Sequence, residues 1–313
     1  MTRRILAAFA MAAGLHLLGT LLIDGYSAPF AVRALLVLAS LLAVASFGQT
    51  LVVLLGGIDL SVPFLIGFGN VVAAQLYGQG MPFALVCAIV AVLAAGLGAL
   101  NGLLSAGLAV HPLILTLGSG TAVEGAVLLW TKGFPAGSAP QFVADFVSIG
   151  GSVGELPVPL LVPATAVLAL LLMLLLARSP FGQRLYALGA NPAAAPYALI
   201  RPVAMAMATY AISALFAAGA GVLLLGFTGS AYADVGQPYL FQSIAAVVIG
   251  GTALTGGEGG IAGTVAGALV LTEANTLLIG LGLPPASVEA ALGAVILLLV
   301  SLYGRTPPLR ASI

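Results

Sequence analysis

Polar side chains inside long apolar runs are the residues of this sequence with the clearest chemical potential. Amides both donate and accept hydrogen bonds, so a set of them within a membrane suits a ligand rich in hydroxyl groups. A carboxylate in such a run must face a cavity, find a partner or be protonated. The alternative role for these side chains is to hold neighbouring helices together. The candidates for a pathway through the protein are Asn70, Gln75, Asn101, Glu124, Glu273 and Asn275.

Several kinds of chemistry are disfavoured by what the sequence lacks. It contains no G-x-x-x-x-G-K-[ST] phosphate loop, and Lys132 is its only lysine. Cys87 is its single cysteine, and His16 and His111 are too few and too far apart in sequence to suggest a metal site. No nucleophile stands beside a base. We therefore predict a protein that is not an enzyme and has no metal or cofactor of its own.

The composition indicates the environment of the chain. Hydrophobic residues make up 61% of the 313 positions and charged residues only 6%, whereas a soluble domain carries about a quarter charged residues. The net charge of zero gives no indication of nucleic-acid binding. We predict an all-α membrane protein in which residues 1–313 form one transmembrane domain of about ten helices. The predicted spans are 5–23, 32–55, 62–78, 82–107, 112–131, 159–177, 204–227, 239–255, 260–280 and 286–303.

The positive charges predict the orientation of these spans. Arginine and lysine accumulate in cytoplasmic loops. If ten spans alternate from a cytoplasmic N-terminus, seven of the nine basic residues fall on the cytoplasmic side. Both termini are then cytoplasmic, with an outer loop at about 132–158 and a long inner loop at about 178–203.

Glycine interrupts the apolar sequence twice at the predicted inner face. The stretches 56–61 and 250–260 each follow an inward-running span, which is a hint of an internal repeat. After the second one, Gly259, Gly263 and Gly267 recur every fourth residue, so that on a helix they would share a face that another helix can approach closely. The residues assigned to these two motifs are Gly56, Gly57, Asp59, Ser61, Gly250, Gly251, Gly256, Gly257, Gly263 and Gly267. In the first motif the aspartate can cap the next helix or hold a turn.

The long inner loop contains a helix-start signal. Asn191 can cap free N–H groups and Pro192 suits the first helical position, so we predict a short helix along the cytoplasmic surface from this point. Pro196 should bend or stop it within about a turn. An ordinary connecting loop is the alternative.

Four segments resemble the membrane permease subunit of bacterial ATP-binding-cassette importers for monosaccharides, of the ribose and galactofuranose type. Their order and spacing cover most of the chain, from about residue 35 to 303. The segments are 56–61 (Gly-Gly-Ile-Asp-Leu-Ser), 116–118 with Gly125 after it, 181–195 and 250–268. Asn275 and the Leu-Pro-Pro turn at 283–285 are similar to the galactofuranose-type members in particular.

The resemblance implies an assembly in the bacterial inner membrane. Two permease subunits, identical or paralogous, would form the pathway, and two cytoplasmic ATPase subunits would bind and hydrolyse ATP. A periplasmic sugar-binding protein would deliver the substrate. The resemblance also implies a coupling role toward the ATPase for Gly189, Asn191, Ala194 and Ala195.

Two other functions fit parts of the sequence. An importer permease for nucleosides or branched-chain amino acids is one, although the Gly-Gly-Ile-Asp-Leu-Ser segment favours sugar. A secondary transporter driven by protons is the other, with Glu124 or Glu273 as the proton carrier. Uptake that persists without an ATPase but collapses with the proton gradient would distinguish this last class.

Overall fold

The computed structural model describes residues 2–108, 110–284, 286–291 and 293–294. This part of the chain is a bundle of α-helices joined mostly by short turns. The helices are α1 (Thr2–Leu22), α2 (Pro29–Leu55), α3 (Val62–Gly78), α4 (Phe83–Gly107), α5 (Pro112–Trp130), α6 (Gln141–Val147), α7 (Leu161–Arg178), α8 (Pro180–Ala190), α9 (Pro202–Thr228), α10 (Tyr239–Ile249) and α11 (Ile261–Gly280). A 3₁₀ turn (Ala195–Ala198) separates α8 from α9.

Long apolar helices dominate the bundle. Among the described residues, seven are long and apolar enough to cross a membrane, namely α1, α2, α4, α5, α7, α9 and α11. The apolar helices α3 and α10 are shorter. A helix is the natural solution in lipid because it satisfies its backbone hydrogen bonds within one segment. The chain is therefore an all-α, polytopic membrane bundle.

The predicted spans and the observed helices agree closely at most ends. From 5–23 to 260–280, each predicted span contains one helix that starts within three residues of the predicted position. The prediction of 239–255 is wrong at its end, because α10 stops at Ile249. The predicted span 286–303 lies largely outside the described residues. The total of ten helices and the location of both termini stay predictions.

Helix α9 forms the centre of the bundle and packs against α2, α3 and α4. Small residues allow this contact. A Cβ atom added to Gly98 of α4 would lie 2.2 Å from the carbonyl oxygen of Tyr210 on α9. On the other side, a Cβ atom at Gly221 of α9 would lie 2.0 Å from the carbonyl oxygen of Ile66 on α3. These backbones therefore touch directly, as they do in membrane bundles that pack through small residues.

The outer helices attach to this centre through fewer neighbours. Helix α1 packs mainly against α11, which in turn contacts α2 and α10. Helix α5 packs against α3 and α4 and leaves the rest of its surface uncovered in this single chain. This arrangement places the two glycine-rich interruptions, between α2 and α3 and between α10 and α11, on the same side of the bundle.

Candidate coupling and translocation site

The interruption between α2 and α3 is organised by one buried carboxylate. Helix α2 ends where Gly56 adopts a φ of +91°, and α3 starts at Val62. Between them the Asp59 side chain is only 2% exposed. Its Oδ1 accepts hydrogen bonds from the N–H of Ser61 at 2.9 Å and from the Ser61 hydroxyl at 2.5 Å. Its Oδ2 accepts from the hydroxyl of Ser213 on α9 at 2.9 Å. Asp59 thus holds the turn and ties it to α9.

Other helices complete this polar cluster. The Gln49 amide, in the orientation that satisfies both of its groups, donates to the Asp59 carbonyl at 3.1 Å and accepts from the Asp59 N–H at 3.3 Å. Asn101 of α4 donates to the Ser61 hydroxyl at 3.4 Å. The Thr116 hydroxyl of α5 accepts a hydrogen bond from the N–H of Leu60 at 2.9 Å. The interruption is therefore held by side chains from α2, α4, α5 and α9. Those of α2 and α5 satisfy its backbone groups, which lipid could not do, and those of α4 and α9 bond to the Ser61 and Asp59 side chains.

Asp59 lies deeper than the sequence suggests. Its partner Ser213 is eleven residues after Pro202, the first residue of α9. At 1.5 Å per residue this is about 16 Å along a helix that is about 40 Å long. Asp59 is therefore inside the bundle and well removed from the end of α9, while the prediction that the interruption lies near the inner membrane face stays a prediction. Interrupted helices at such depth occur where the irregular backbone is buried in protein or lines a cavity.

The second interruption is a hairpin whose two helices touch along their backbones. A Cβ atom at Gly263 would lie 2.1 Å from the carbonyl oxygen of Gly250, and one at Gly267 would lie 1.9 Å from the carbonyl oxygen of Ala246. Gly259 does not share this face, because α11 begins only at Ile261 and Gly259 lies in the preceding turn with a φ of +131°. The approach of α10 to α11 has no room for a side chain at these glycines.

Helix α8 joins the inner loop to both interruptions. A Cβ atom at Gly189 would lie 1.9 Å from the carbonyl oxygen of Leu54, near the end of α2. The N–H of Gly257, in the second interruption, donates to the same carbonyl at 2.9 Å. We call these contacts of Gly189, Leu54 and Gly257 the inner junction. A displacement of α8 would press on both interruptions, since their backbones are in direct contact there.

A tyrosine of α8 strengthens this attachment. The Tyr186 hydroxyl donates to the carbonyl oxygen of Gly259 at 2.9 Å. Burial raises the pKa of Tyr186, so the hydroxyl keeps its proton and stays a donor. No role for Tyr186 is predicted from the sequence. Its position on a loop helix gave no indication of a partner 73 residues away.

The inner loop differs in part from the prediction. Asn191 does cap a turn, since its Oδ1 accepts from the N–H of Ala194 at 3.1 Å. The helix that follows is only the 3₁₀ turn Ala195–Ala198, whereas the longer helix of the loop, α8, precedes Asn191. Ser179 caps α8 by accepting from the N–H of Gly182 at 3.1 Å. The Ser-Pro pair at 179–180 is a standard helix start and could have revealed α8.

Two large apolar side chains stand out at the end of the inner loop. Tyr197 is 91% exposed and Leu199 is 90% exposed, while Ala195 beside them is buried. Leu199 also has a φ of +57°, a conformation that non-glycine residues rarely adopt. The surface formed by Asn191, Ala194, Tyr197 and Leu199 is called the loop tip below.

The six candidate pathway residues occupy four helices and do not form one cluster. Asn70 is buried, donates to the carbonyl of Gly221 at 3.2 Å and accepts from the N–H of Tyr232 at 2.9 Å, so it connects α3 to α9 and the segment after α9. Asn101 belongs to the cluster around Asp59. The half-buried side chains are those of Gln75 on α3, Glu124 on α5 and Asn275 on α11.

Glu273 is bound by partners on α1 and on the turn after it. The Nδ1 atom of His16 lies 2.9 Å from Oε1 of Glu273, and the Tyr26 hydroxyl donates to Oε2 at 2.8 Å. His16 Nε2 also lies 3.2 Å from the Ser27 hydroxyl. Burial, and then the hydrogen bond to Glu273 and its charge, raise the pKa of Tyr26, which therefore stays a neutral donor. These contacts fasten α1 to α11.

Removing the Tyr26 hydroxyl tests this attachment. We expect Tyr26→Phe to lower the stability of the purified protein by roughly 1–3 kcal/mol, because Glu273 loses a buried donor. Thermal melting in detergent measures the change. Tyr232→Phe, at a half-exposed tyrosine, is the matched control. Equal melting temperatures for the two variants would show that the Tyr26 bond does not hold α1 in place.

These features define the class of the protein. An all-α bundle with interrupted helices, a buried polar cluster and an inner loop packed on both interruptions has the organisation of a membrane transport protein. The chain belongs to the permease family described as "Branched-chain amino acid transport system / permease component", whose model matches residues 31–301. It is therefore a transport component, a multi-pass permease of the bacterial inner (cell) membrane. No solved structure matches the chain.

Three relatives of known name are 32–35% identical to this chain. The chain is 35% identical to the ribose import permease of Bacillus subtilis over 259 residues, which cover 82% of this chain and 79% of the relative. It is 34% identical to the ribose import permease of Haemophilus influenzae over 75% of this chain and 73% of the relative. It is 32% identical to an autoinducer 2 import system permease of Escherichia coli SMS-3-5 over 85% of this chain and 80% of the relative.

Proposed function

We propose that this chain is the membrane permease of an ATP-driven importer for a monosaccharide or a similarly small, hydroxyl-rich ligand. The observation that carries the proposal is the similarity to ribose import permeases over about three quarters or more of both chains. The similar autoinducer 2 permease keeps the ligand class open to other small polyhydroxylated molecules. Neutral amides such as Gln75 and Asn275 can exchange hydrogen bonds with hydroxyl groups in either direction.

A second permease subunit would complete the pathway. Helix α5 carries the exposed Thr121 and the half-buried Glu124, and among the described helices it packs mainly against α3 and α4. A carboxylate at such a position faces a polar cavity or a protein partner in preference to lipid. Gly118 and Gly125 leave open space on the same helix. A facing subunit, identical or paralogous, would cover this surface and place Glu124 beside the ligand's route.

ATP would be bound and hydrolysed by separate cytoplasmic subunits that dock on the loop tip. Exposed Tyr197 and Leu199 supply apolar area, and the capped turn at Asn191 and Ala194 supplies a defined shape. Force applied here would reach α2 and the hairpin through the inner junction, because Gly189 lies against Leu54. A periplasmic sugar-binding protein would meet the opposite side, where Phe134 of the outer loop is 83% exposed.

Reconstituted uptake tests the function. The permease is combined in liposomes with the ATPase and the binding protein that we expect its neighbouring genes to encode, and uptake of labelled ribose, autoinducer 2 and leucine is measured. We expect ATP-dependent uptake of one of the hydroxyl-rich ligands. Leucine as the sole substrate would support a branched-chain amino-acid importer instead. Uptake that needs no ATPase and collapses with the proton gradient would overturn the proposal.

Changes at the loop tip should uncouple ATP hydrolysis from substrate uptake. Asn191→Arg and Ala194→Glu introduce bulky charges where the turn is capped by a single hydrogen bond. We expect uptake to fall by about tenfold or more while the ATPase subunits still hydrolyse ATP, as loss of a small interface anchor predicts. Ala194→Ser is the matched control, because it keeps the side chain small. Normal uptake in both charged variants would remove this loop from the coupling mechanism.

A further inference from the structure

A cavity lies at the inner end of the bundle, beneath the first turn of α1. Its volume is about 470 Å³, within the range of small-ligand sites. It opens between α1, α8 and the turn that joins α10 to α11. The residues that line it are Arg4, Tyr186, Gly251, Gly257, Glu258 and Gly259. None of the six candidate pathway residues lines it.

One side of the cavity is built to accept an anion. Gly259 is buried, and the backbone N–H groups of Glu258 and Gly259 have no hydrogen-bond acceptor in the part of the chain that the structure describes. Gly257 and Gly259 have φ angles of +75° and +131°, which glycine adopts without a steric penalty, and both residues line the cavity together with Glu258. The Arg4 side chain packs beside Gly251. A guanidinium together with converging backbone N–H groups binds phosphate oxygens well.

The other side offers a partner for a cation. The Glu258 side chain also lines the cavity. Neither Arg4 nor Glu258 forms an ion pair within 4 Å among the described residues. A ligand that places an ammonium group a few bonds from a phosphate would satisfy both charges at once. A plain anion would satisfy Arg4 and be repelled by Glu258.

The location of the cavity indicates where such a ligand comes from. Helix α1 packs mainly against α11, and the exposed side chains on its other faces, such as Leu17 and Leu21, are apolar and suit contact with lipid. Its 21 residues span about 30 Å, close to the thickness of the hydrocarbon core. Arg4, at the start of this helix, is therefore level with the headgroups of one leaflet. The positive charges of the sequence assign that leaflet to the cytoplasmic side.

We propose that this cavity binds the headgroup of a phospholipid that carries a primary ammonium beside its phosphate, as phosphatidylethanolamine does. The phosphate lies between the Arg4 guanidinium and the N–H groups of Glu258 and Gly259, and the ammonium meets the Glu258 carboxylate. The bound lipid fastens α1 to the turn that also contacts α8. The assignment concerns the membrane around the permease and is independent of which substrate it transports.

Native mass spectrometry of the purified full-length chain tests the site. Phosphatidylethanolamine and phosphatidylglycerol are added in equal amounts, and the bound fraction of each is measured. We expect the wild-type chain to retain phosphatidylethanolamine preferentially. Arg4→Gln should weaken its binding about tenfold, as loss of a charge-assisted hydrogen bond predicts. Glu258→Gln should abolish the preference between the two lipids. Arg3→Gln is the matched control, because this neighbouring arginine does not line the cavity.

Three results would overturn the assignment. The first is equal loss of lipid in Arg4→Gln and Arg3→Gln, which would mean that general positive charge holds the lipid. The second is a wild-type chain without a preference between the two lipids. The third is displacement of the lipid by millimolar inorganic phosphate, which would identify a site for a free anion. Neither Arg4 nor Glu258 is buried, so the variants are expected to fold.

Discussion

Asp59→Ala is expected to lower the stability of the purified permease by about 3 kcal/mol or more. The change removes the acceptor of three hydrogen bonds in a site that water does not reach, and it leaves the Ser61 N–H and the hydroxyls of Ser61 and Ser213 without their partner. Each buried donor left unsatisfied costs about 1–3 kcal/mol. Thermal melting of the detergent-solubilised protein measures the loss.

Two further variants show whether the lost hydrogen bonds cause the loss of stability in Asp59→Ala. Asp24→Ala removes an exposed carboxylate from the α1–α2 turn and should leave the melting temperature nearly unchanged. Asp59→Asn keeps an oxygen that can accept, so it should lose less stability than Asp59→Ala. If Asp59→Ala melted at the same temperature as Asp24→Ala, the carboxylate would not be what holds the interruption between α2 and α3.

Leucine at Gly263 or Gly267 is expected to abolish transport. A Cβ atom alone would lie 2.1 Å from the Gly250 carbonyl oxygen at the first position and 1.9 Å from the Ala246 carbonyl oxygen at the second. These separations are far below van der Waals contact, so α10 and α11 must move apart by the width of a side chain. The ATPase subunits should still bind, because the loop tip lies on other segments.

The measurements for these variants are uptake in liposomes and co-purification of the ATPase. Gly219→Leu is the matched control, since Gly219 of α9 has open space around its Cβ position. We expect normal uptake in the control and uptake reduced by about a hundredfold in Gly263→Leu, where overpacking of a rigid contact costs several kcal/mol. Uptake that survived in both α11 variants would show that the close approach of the two helices is not required for transport.

The inner junction gives these two predictions a common physical basis. Asp59 fixes one interruption to α9, and the glycines of α11 fix the other to α10. The carbonyl of Leu54 is shared between Gly189 and Gly257, so α8 contacts both. Packed backbones transmit displacement because they are close to incompressible. A movement at the loop tip is thus expected to reach both interruptions together.

Most of the fold could be predicted from the amino-acid sequence. A bilayer demands about 20 consecutive apolar residues per helix, and a helix makes its backbone hydrogen bonds locally, so span positions can be predicted without tertiary information. The end of α10 could not be predicted in this way. Helix α10 ends at a local glycine cap, because Gly251 adopts a φ of +88° and the N–H of Thr252 donates to the carbonyl of Val247 at 3.2 Å. The apolar residues after Gly251 lengthened the predicted span beyond this cap.

The sequence also identified two of the three residues at the inner junction, Gly189 and Gly257, though not Leu54 and not their contacts. Gly189 and Gly257 belonged to motifs 68 residues apart, and only folding brings both to the carbonyl of Leu54. Ser213 and Tyr186 were missed, because one hydroxyl in an apolar helix and one tyrosine in a loop helix carry no local signal of a distant partner.

Glu273 shows most clearly which contacts cannot be predicted from the sequence. The cost of a carboxylate in an apolar run predicted that it needs a cavity, a partner or a proton. Its partners, His16 and Tyr26, are 257 and 247 residues away in the chain. Hydrophobic burial depends on composition along the chain, whereas a polar contact depends on which helices become neighbours. Glu273 faces α1 because α1 packs on α11, a contact that forms only when the chain folds.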